Sequence, residues 1–401
     1  MAFVVLIGTL DTKGTEYGWL RDRLRALGAD VVLVDTGTLD APRVVPDVPR
    51  EEVARAAGLD LAAVADRGAA VAAMARGAAA VLTRLHARGR LHGVLSVGGS
   101  GNTALSTAAM RALPVGVPKL MVSSMASGDV SPYVGGHDVT LMYSVVDIAG
   151  INRVSARVLA NAADAVAGMA AGYAAGREAP AERPVIGATM AGITTGGVDA
   201  ARGHLSALGY EVLVFHASGA GGRSFEAMAA SGLLVGVLDA TLLEVSTGLL
   251  GGVGQAGPER LTSAGRAGVP QVVGLGGLDM GKFGPSVPER LRNRHVHMHN
   301  PSVMVVRTTP AECAELGRLV AARLRAATGP TALYLPLRGL SSLGSPGGPY
   351  HCPAADAALF DAVRSGLDGS AVEIRELDTD VNDPAFGQAM AARLHAMARQ
   401  A

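Results

Sequence analysis

The sequence predicts an α/β protein made of two Rossmann-like, doubly wound parallel-sheet domains related by internal duplication. Three observations carry this prediction. The strand-like runs are continuously apolar, as in parallel sheets covered on both faces. Each run leads through a glycine-bearing loop into an amphipathic helix that stops at a glycine before the next run. That order occurs twice in the 401 residues, a length that suits two domains.

The first copy opens with residues 4–37, "VVLIGTLDTKGTEYGWLRDRLRALGADVVLVDTG". This reads as strand, polar loop (8–16), helix, glycine stop and strand. Trp19, Leu20, Leu24 and Leu27 fall on one helical face, and Gly28 ends the helix. The second copy opens with residues 185–219, "VIGATMAGITTGGVDAARGHLSALGYEVLVFHASG", in the same order. Asp35 stands seven residues after Gly28, and His216 seven after Gly209. Further on, "GVLSV" (93–97) matches "GVLDA" (236–240), and "GVPKLMVSS" (116–124) matches "GVPQVVGLG" (268–276). "DVTLMYSVVD" (138–147) has a looser partner in "SVMVVRTTPA" (302–311).

The domain boundary is placed near "AAGREAPAERP" (174–184), giving domains 1–180 and 181–401. The helix predicted over 153–173 packs between or beside the domains. Residues 331–401 add two strands and two helices, which either complete the second sheet or cross back to the first.

Composition excludes several classes. Lysine plus arginine equals aspartate plus glutamate, 35 each, so no electrostatic footprint points to nucleic acid or an anionic membrane. The start lacks the basic residues of a signal peptide, and no apolar stretch reaches the ~18 residues of a membrane span. Cys313 and Cys352 are too few for a disulfide framework or a zinc quartet. The expectation is a soluble cytoplasmic protein.

Chemistry belongs at the carboxyl ends of the strands, where open parallel sheets bind ligands. In the first copy, "GGSGNT" (Gly98, Gly99, Ser100, Gly101, Asn102, Thr103) joins a buried strand to a helix. Without Cβ atoms, backbone N–H groups can turn toward a phosphate, and the helix N-terminus adds its partial charge. Ser100, Asn102 and Thr103 are read as further donors. A tight turn would also use these glycines. Lys13 is read as reaching a phosphate. Asp11 and Thr12 either cap the helix or, for Asp11, hold magnesium. Asp35 closes the second strand, where an acid can accept from ribose hydroxyls. The second copy has lost the glycine turn and carries "LDATLLEVSTGLLGG", with Asp239 and Glu244. It has His216 in place of Asp35, Asp279 in "GGLDMGKFG", and the cluster "RNRHVHMHNP" with His295, His297, His299 and Asn300. The three histidines alternate, so a strand would project them on one face; orienting a substrate suits His299 better than a metal does. Arg307 is read as pairing with a carboxylate substrate or forming a structural ion pair.

"GTLDTKGTE", "SVGGSGNTAL", "GVLDATLLEV", "GGLDMGKFG", "HNPSVMVVRTT", "PAADAALFDAV" and "NDPAF" occur in this order. Together they resemble an uncharacterised bacterial and fungal protein family that shares its domain with a plant tomato mosaic virus resistance protein. The resemblance spans nearly the whole chain. It implies two Rossmann-like domains, ATP binding in the N-terminal half, and a homodimer; the plant member's antiviral activity does not carry over. In the family pattern an acid stands where this chain has Gly344, and a histidine where it has Asp380.

The leading functional expectation is an ATP-dependent enzyme acting on a small organic or sugar acid in an interdomain cleft. ATP and magnesium would lie at Gly98–Thr103 and Lys13. Lys13, His216, Asp239 and Glu244 are the catalytic candidates, and Asp279, His299, Asn300 and Arg307 the substrate-binding ones. The alternatives are a nucleotide-binding regulatory module without turnover, and an ATP-independent lyase or hydrolase on a phosphorylated organic acid.

Overall fold

Strand β1 (Phe3–Gly8) leads into helix α1 (Leu10–Ala26) and strand β2 (Asp30–Asp35), which pairs parallel to β1 from Phe3–Asp30 to Gly8–Asp35. In α1, Leu20 and Leu24 are buried, Trp19 is half-buried and Leu27 is exposed, so the apolar stripe is centred on Tyr17, Leu20 and Leu24. Gly28 follows at φ +82°, the left-handed turn that a glycine makes without steric cost. The predicted loop over 8–16 is corrected: the helix starts at Leu10, and only Lys13 departs from helical geometry (φ −120°, ψ 17°).

The chain continues through α2 (Arg50–Ala56), α3 (Arg67–Ala87), β3 (Gly93–Gly98), α4 (Ser100–Met110), β4 (Lys119–Ser123), α5 (Ser131–Val134), β5 (Thr140–Tyr143) and α6 (Ser155–Ala174). The sheet order is β2-β1-β3-β4-β5, parallel throughout. Alternate residues serve opposite faces. Val4 and Leu6 pack with α1 and α6, whereas Val5 and Ile7 pack with α3 and α4. Helix α3 is long and apolar enough to cross a membrane, contrary to the expectation that no stretch reaches that length. Its Met74, Ala78, Val81, Leu82 and Leu85 are buried in the sheet's own core, which accounts for its composition. Helix α6 packs on β1, β3 and β4 through Leu159, Ala162, Ala163 and Val166, so it belongs to this unit.

The second unit runs β6 (Val185–Met190), α7 (Thr195–Ala207), β7 (Glu211–His216), α8 (Ala220–Ala230), β8 (Leu234–Thr241), α9 (Leu243–Leu249), α10 (Ser263–Arg266) and β9 (Gln271–Gly276). An antiparallel insert follows: β10 (Met280–Phe283), β11 (Val296–Asn300) and β12 (Val303–Arg307), ordered β10-β12-β11. Then come α11 (Pro310–Arg325), β13 (Thr331–Pro336), α12 (Pro353–Leu367), β14 (Glu373–Leu377) and α13 (Pro384–Ala398). The main sheet is β14-β13-β9-β8-β6-β7. Helices α7 and α13 cover one face; α11 and α12 cover the other.

Read outward from β2 and from β7, the two sheets share one strand order, as duplication requires. One predicted match is corrected. The counterpart of β5 is β13, which lies beside β9, and not β12, which is antiparallel in the insert. Residues 331–401 complete the second sheet. The computed structural model describes residues 1–59, 67–176 and 183–400 and separates the chain into Met1–Pro180 and Ala181–Ala401. Residues 177–182 of the predicted boundary lie outside the described residues.

Candidate functional site

In the first sheet the β1–β3 ladder runs from Val4–Gly93 to Leu6–Leu95. The helices that follow these two strands go to opposite faces, so a crevice opens between β1 and β3. Tyr17 closes its floor. Its hydroxyl donates to Ile7 O at 2.7 Å and accepts from Val97 N at 2.9 Å and Asn102 Nδ2 at 3.2 Å. Burial pushes this phenol up from its ordinary pKa. A Cβ on Gly8 would overlap the hydroxyl, which is why glycine ends β1.

Above that floor lies the β3–α4 turn. Gly99 caps α4 in an extended conformation (φ −86°, ψ −163°), with no side-chain cap on the helix start. A Cβ on Gly98 would approach Asn102 Cβ to 2.7 Å, so that glycine serves packing. Gly99 and Gly101 are different. A Cβ on Gly99 would meet only Ser124 Oγ at 3.7 Å, and one on Gly101 nothing within 4 Å. The backbone there is bare by choice of residue and not by crowding. Ser100 is exposed. The expectation that Asn102 and Thr103 add side-chain donors is corrected: Asn102 Nδ2 is held by Val97 O, Ser96 and Tyr17, and Thr103 Oγ1 by Gly99 O and Ser123.

The neighbouring acids have other partners. Asp35 Oδ1 accepts from Leu10 N at 3.1 Å and Gly37 N at 2.8 Å, so a carboxylate already faces the N-terminus of α1. Its Oδ2 is buried with no partner, and burial pushes its pKa up. Asp11 accepts from Thr12 N at 2.7 Å and Leu39 N at 3.0 Å. Both its oxygens serve backbone, so it does not suit magnesium. Thr12 pairs with Thr9 at 2.9 Å. Lys13 Nζ donates to the Ile148 carbonyl, and Glu16 accepts from Gly150 N at 2.7 Å; these two side chains hold the loop after β5 against α1. In that loop Val145 has φ +65°, a costly conformation for a β-branched residue.

The second sheet places His216 opposite Met190, the register position that Asp35 holds opposite Gly8. Gly236 pairs with Ile186 as Gly93 pairs with Val4, so Thr241 corresponds to Gly98 and Leu242–Glu244 to Gly99–Gly101. Leucines cover this helix start. Glu244 turns to α8, accepting from Gly219 N at 2.5 Å and Gly222 N at 3.1 Å.

Arg260, 1 % exposed, gathers three carboxylates. It reaches Asp239 through Nη1 at 2.5 Å and Nη2 at 2.6 Å, Glu244 at 2.8 Å and Glu226 at 3.2 Å. Burial opposes its charge, yet Asp239, Glu226 and Glu244 together raise its pKa well above the ordinary value. Burial raises Glu244, against the pull of Arg260. Asp239 and Glu244 are therefore corrected from catalytic candidates to members of a buried ion cluster. Arg307 is corrected likewise: it donates to Asp356 at 2.6 Å and Tyr350 O at 2.8 Å and is not free for a substrate carboxylate.

Asp279 is fully buried. One oxygen accepts from Ser341 at 2.5 Å, the other has no partner, and burial raises its pKa to about 6. It lies outside the lining of the pocket that holds the remaining candidates. That pocket, about 240 Å³, is lined by Gly192, Ile193, His216, Leu243, Met280, Lys282, His299, Asn300 and Val305 among others. It sits at the carboxyl ends of β6, β7 and β8, with the antiparallel insert as its wall. The structure thus brings His216, His299 and Asn300 together. The predicted single face of three histidines is corrected, because β11 bulges between Met298 and Asn300. His295 and His297 pack on the Tyr350 ring, at 4.9 and 6.3 Å between centroids. Among the described residues no three His, Cys, Asp or Glu side chains gather as a metal site.

The N-terminal-domain pattern of the uncharacterised protein family UPF0261 matches residues 2–175, and its C-terminal-domain pattern matches residues 183–398. The chain belongs to the UPF0261 family. A UPF0261 protein of Clostridium tetani is 44% identical over 396 residues, covering 98% of both chains. The ToMV resistance protein Tm-1(GCR237) of Solanum lycopersicum is 35% identical, over 96% of this chain and 54% of the plant protein. The ToMV susceptible protein tm-1(GCR26) is 34% identical over the same shares. Resistant and susceptible forms are equally similar, so the likeness does not carry resistance.

Within this UPF0261 chain, a Cβ at Gly344 would overlap Asp279 Oδ2. An acid at that position would crowd a second carboxyl against a buried one. Asp380, the other departure, caps the turn after β14 by accepting from Asn382 N at 2.8 Å. Sequence reading missed Tyr17, Arg260, Ser341 and Lys282. A lone arginine in "GPERL" and a tyrosine in a helix carry no local signal of their long-range partners.

Proposed function

We propose that this UPF0261 protein binds ATP through the β3–α4 turn of its first unit and uses it on a small organic acid held by the second. One observation carries the nucleotide half: α4 begins at the crevice with bare glycines and no internal carboxylate. Two other strand-to-helix starts differ. Asp35 faces the N-terminus of α1, and Glu244 that of α8. A free helix N-terminus at the point where the sheet's connections reverse is an anion site. The phosphates would meet the N–H groups of Ser100, Gly101 and Asn102. Asp35 ends β2, across β1 from this turn, and its one unpartnered oxygen is buried; an acid at that strand end suits a ribose hydroxyl. Bound there, ATP would pass its γ-phosphoryl group to an acid's carboxylate oxygen with ADP leaving, or its adenylyl group with pyrophosphate leaving. No protein ligand for magnesium enters this reading, given the partners of Asp11. Lys13 supports the adjoining loop, and its charge lies on the same sheet edge.

Calorimetry with magnesium–ATP tests the reading on the native protein, Gly99→Val and Gly101→Glu. Both sites have room for an added Cβ, and far-ultraviolet circular dichroism checks that each variant folds. Binding falls at least about tenfold in each, since the loss of one charge-assisted hydrogen bond suffices. Undiminished binding in the folded variants would move the nucleotide elsewhere. Tight binding without product in an organic-acid screen would favour the regulatory module.

A further inference from the structure

We propose that the pocket beneath His216 is a carboxylate site for a short acid with an apolar, hydroxyl-poor body. This deepens the organic-acid half of the reading above and rests on it for its purpose, though not for its geometry. The pocket has two chemically distinct parts. Its floor belongs to a buried apolar cluster that includes Ile193, Leu243, Met280 and Val305. Its rim carries His216, Lys282, His299 and Asn300, and no acid stands among its described lining residues.

The rim groups are available. Among the described residues, Lys282 Nζ and the His299 ring have no hydrogen-bond or ion-pair partner. Lys282 is anchored instead by its backbone, whose N–H donates to Thr247 at 3.1 Å. His216 Nδ1 lies 3.2 Å from the Met190 carbonyl. A carbonyl only accepts, so Nδ1 carries the proton and Nε2 is the free nitrogen. Nε2 can then accept a hydrogen bond from a donor on the bound acid. Asn300 Oδ1 accepts from Ser302 N at 2.9 Å, which leaves its amide N–H groups as donors.

An anion at this rim gains charge-assisted contacts. A sugar acid would press several hydroxyls against a floor that offers them no partner, and each unmet hydroxyl is costly. A branched or aromatic acid fills the same floor with carbon. At about 240 Å³ the pocket is smaller than sites for drug-sized ligands, which limits the body to a few carbons or one ring.

The test is calorimetry without nucleotide, so that its failure is separate from failure of ATP binding. The probes are isovalerate, benzoate, isoamyl alcohol, gluconate and inorganic phosphate, with native protein, Lys282→Met and His299→Gln. Isovalerate or benzoate binds. Isoamyl alcohol, gluconate and phosphate bind at least about tenfold more weakly, and Lys282→Met costs the carboxylate about tenfold. His299→Gln, at an exposed residue, gives a smaller loss and serves if Lys282→Met does not fold. Equal binding of gluconate or phosphate would overturn the proposal. So would carboxylate affinity unchanged in the folded variants, or no binding by any probe.

Discussion

Replacing Arg260 with methionine separates a structural cluster from a catalytic one. The side chain is 1 % exposed and sits among Asp239, Glu244 and Glu226, each within 3.2 Å. Methionine retains much of the aliphatic bulk but none of the charge, leaving three acids in a buried site without their cation. Breaking a buried ion pair from one side costs about 3–5 kcal/mol. For a unit the size of Ala181–Ala401 that lowers its melting temperature by roughly 6–20 °C. The pH dependence follows. Burial already raises Glu244 and Arg260 is the main group opposing that rise, so without arginine protonation of Glu244 stabilises the folded variant. The deficit is therefore largest at pH 8 and shrinks toward pH 5. Adding Asp239→Asn to Arg260→Met recovers part of the loss, because one stranded charge is gone. Differential scanning calorimetry at both pH values is the assay. A loss under about 3 °C, or one equal at pH 5 and pH 8, would refute the argument.

Other perturbations probe the remaining features. Tyr17→Phe leaves Ile7 O, Val97 N and Asn102 without their shared partner; it costs about 2–3 kcal/mol in a denaturant titration, with raised amide exchange at Val97. Asp279 has its folded pKa raised to about 6 from 3.8. It thus contributes stability that is present below pH 4 and lost as pH rises through 6, roughly 3 kcal/mol in all. Asp279→Asn flattens the melting temperature over that window, and an unchanged slope would count against a buried, unpaired carboxyl. Gly344→Asp lowers stability most at neutral pH, where two neighbouring acids compete for charge; acid pH relieves it.

Much of the fold was legible because period and punctuation are local. Apolar runs ended by Gly28 and Gly209 mark the two βαβ units, and counting from those glycines already aligns Asp35 with His216. The insert was not legible. "SVMVVRTT" is an apolar run in either direction, and only β10 and β11 show that it lies antiparallel. For the site, residue type located the edge but not the partners. The acids at 239 and 244 looked catalytic until Arg260 was placed among them. Asn102 looked like a donor to ligand, but Tyr17 reaches it from 85 residues away. Such pairings depend on which strands become neighbours, and no spacing along the chain encodes them.

The carboxylate of Glu244 fills a helix start in the second unit, as Asp35 does in the first. Each half carries an internal anion at one helix N-terminus, Asp35 at α1 and Glu244 at α8, and the start of α4 has none. A ligand that binds only the folded form stabilises it by about 2.7 kcal/mol at a hundred times its dissociation constant. The halves should therefore respond unequally as nucleotide is added. Under the proposed nucleotide reading, the transition belonging to Met1–Pro180 would climb with the logarithm of nucleotide concentration and that of Ala181–Ala401 would not. Unequal shifts of the two transitions would then mark which half holds the nucleotide.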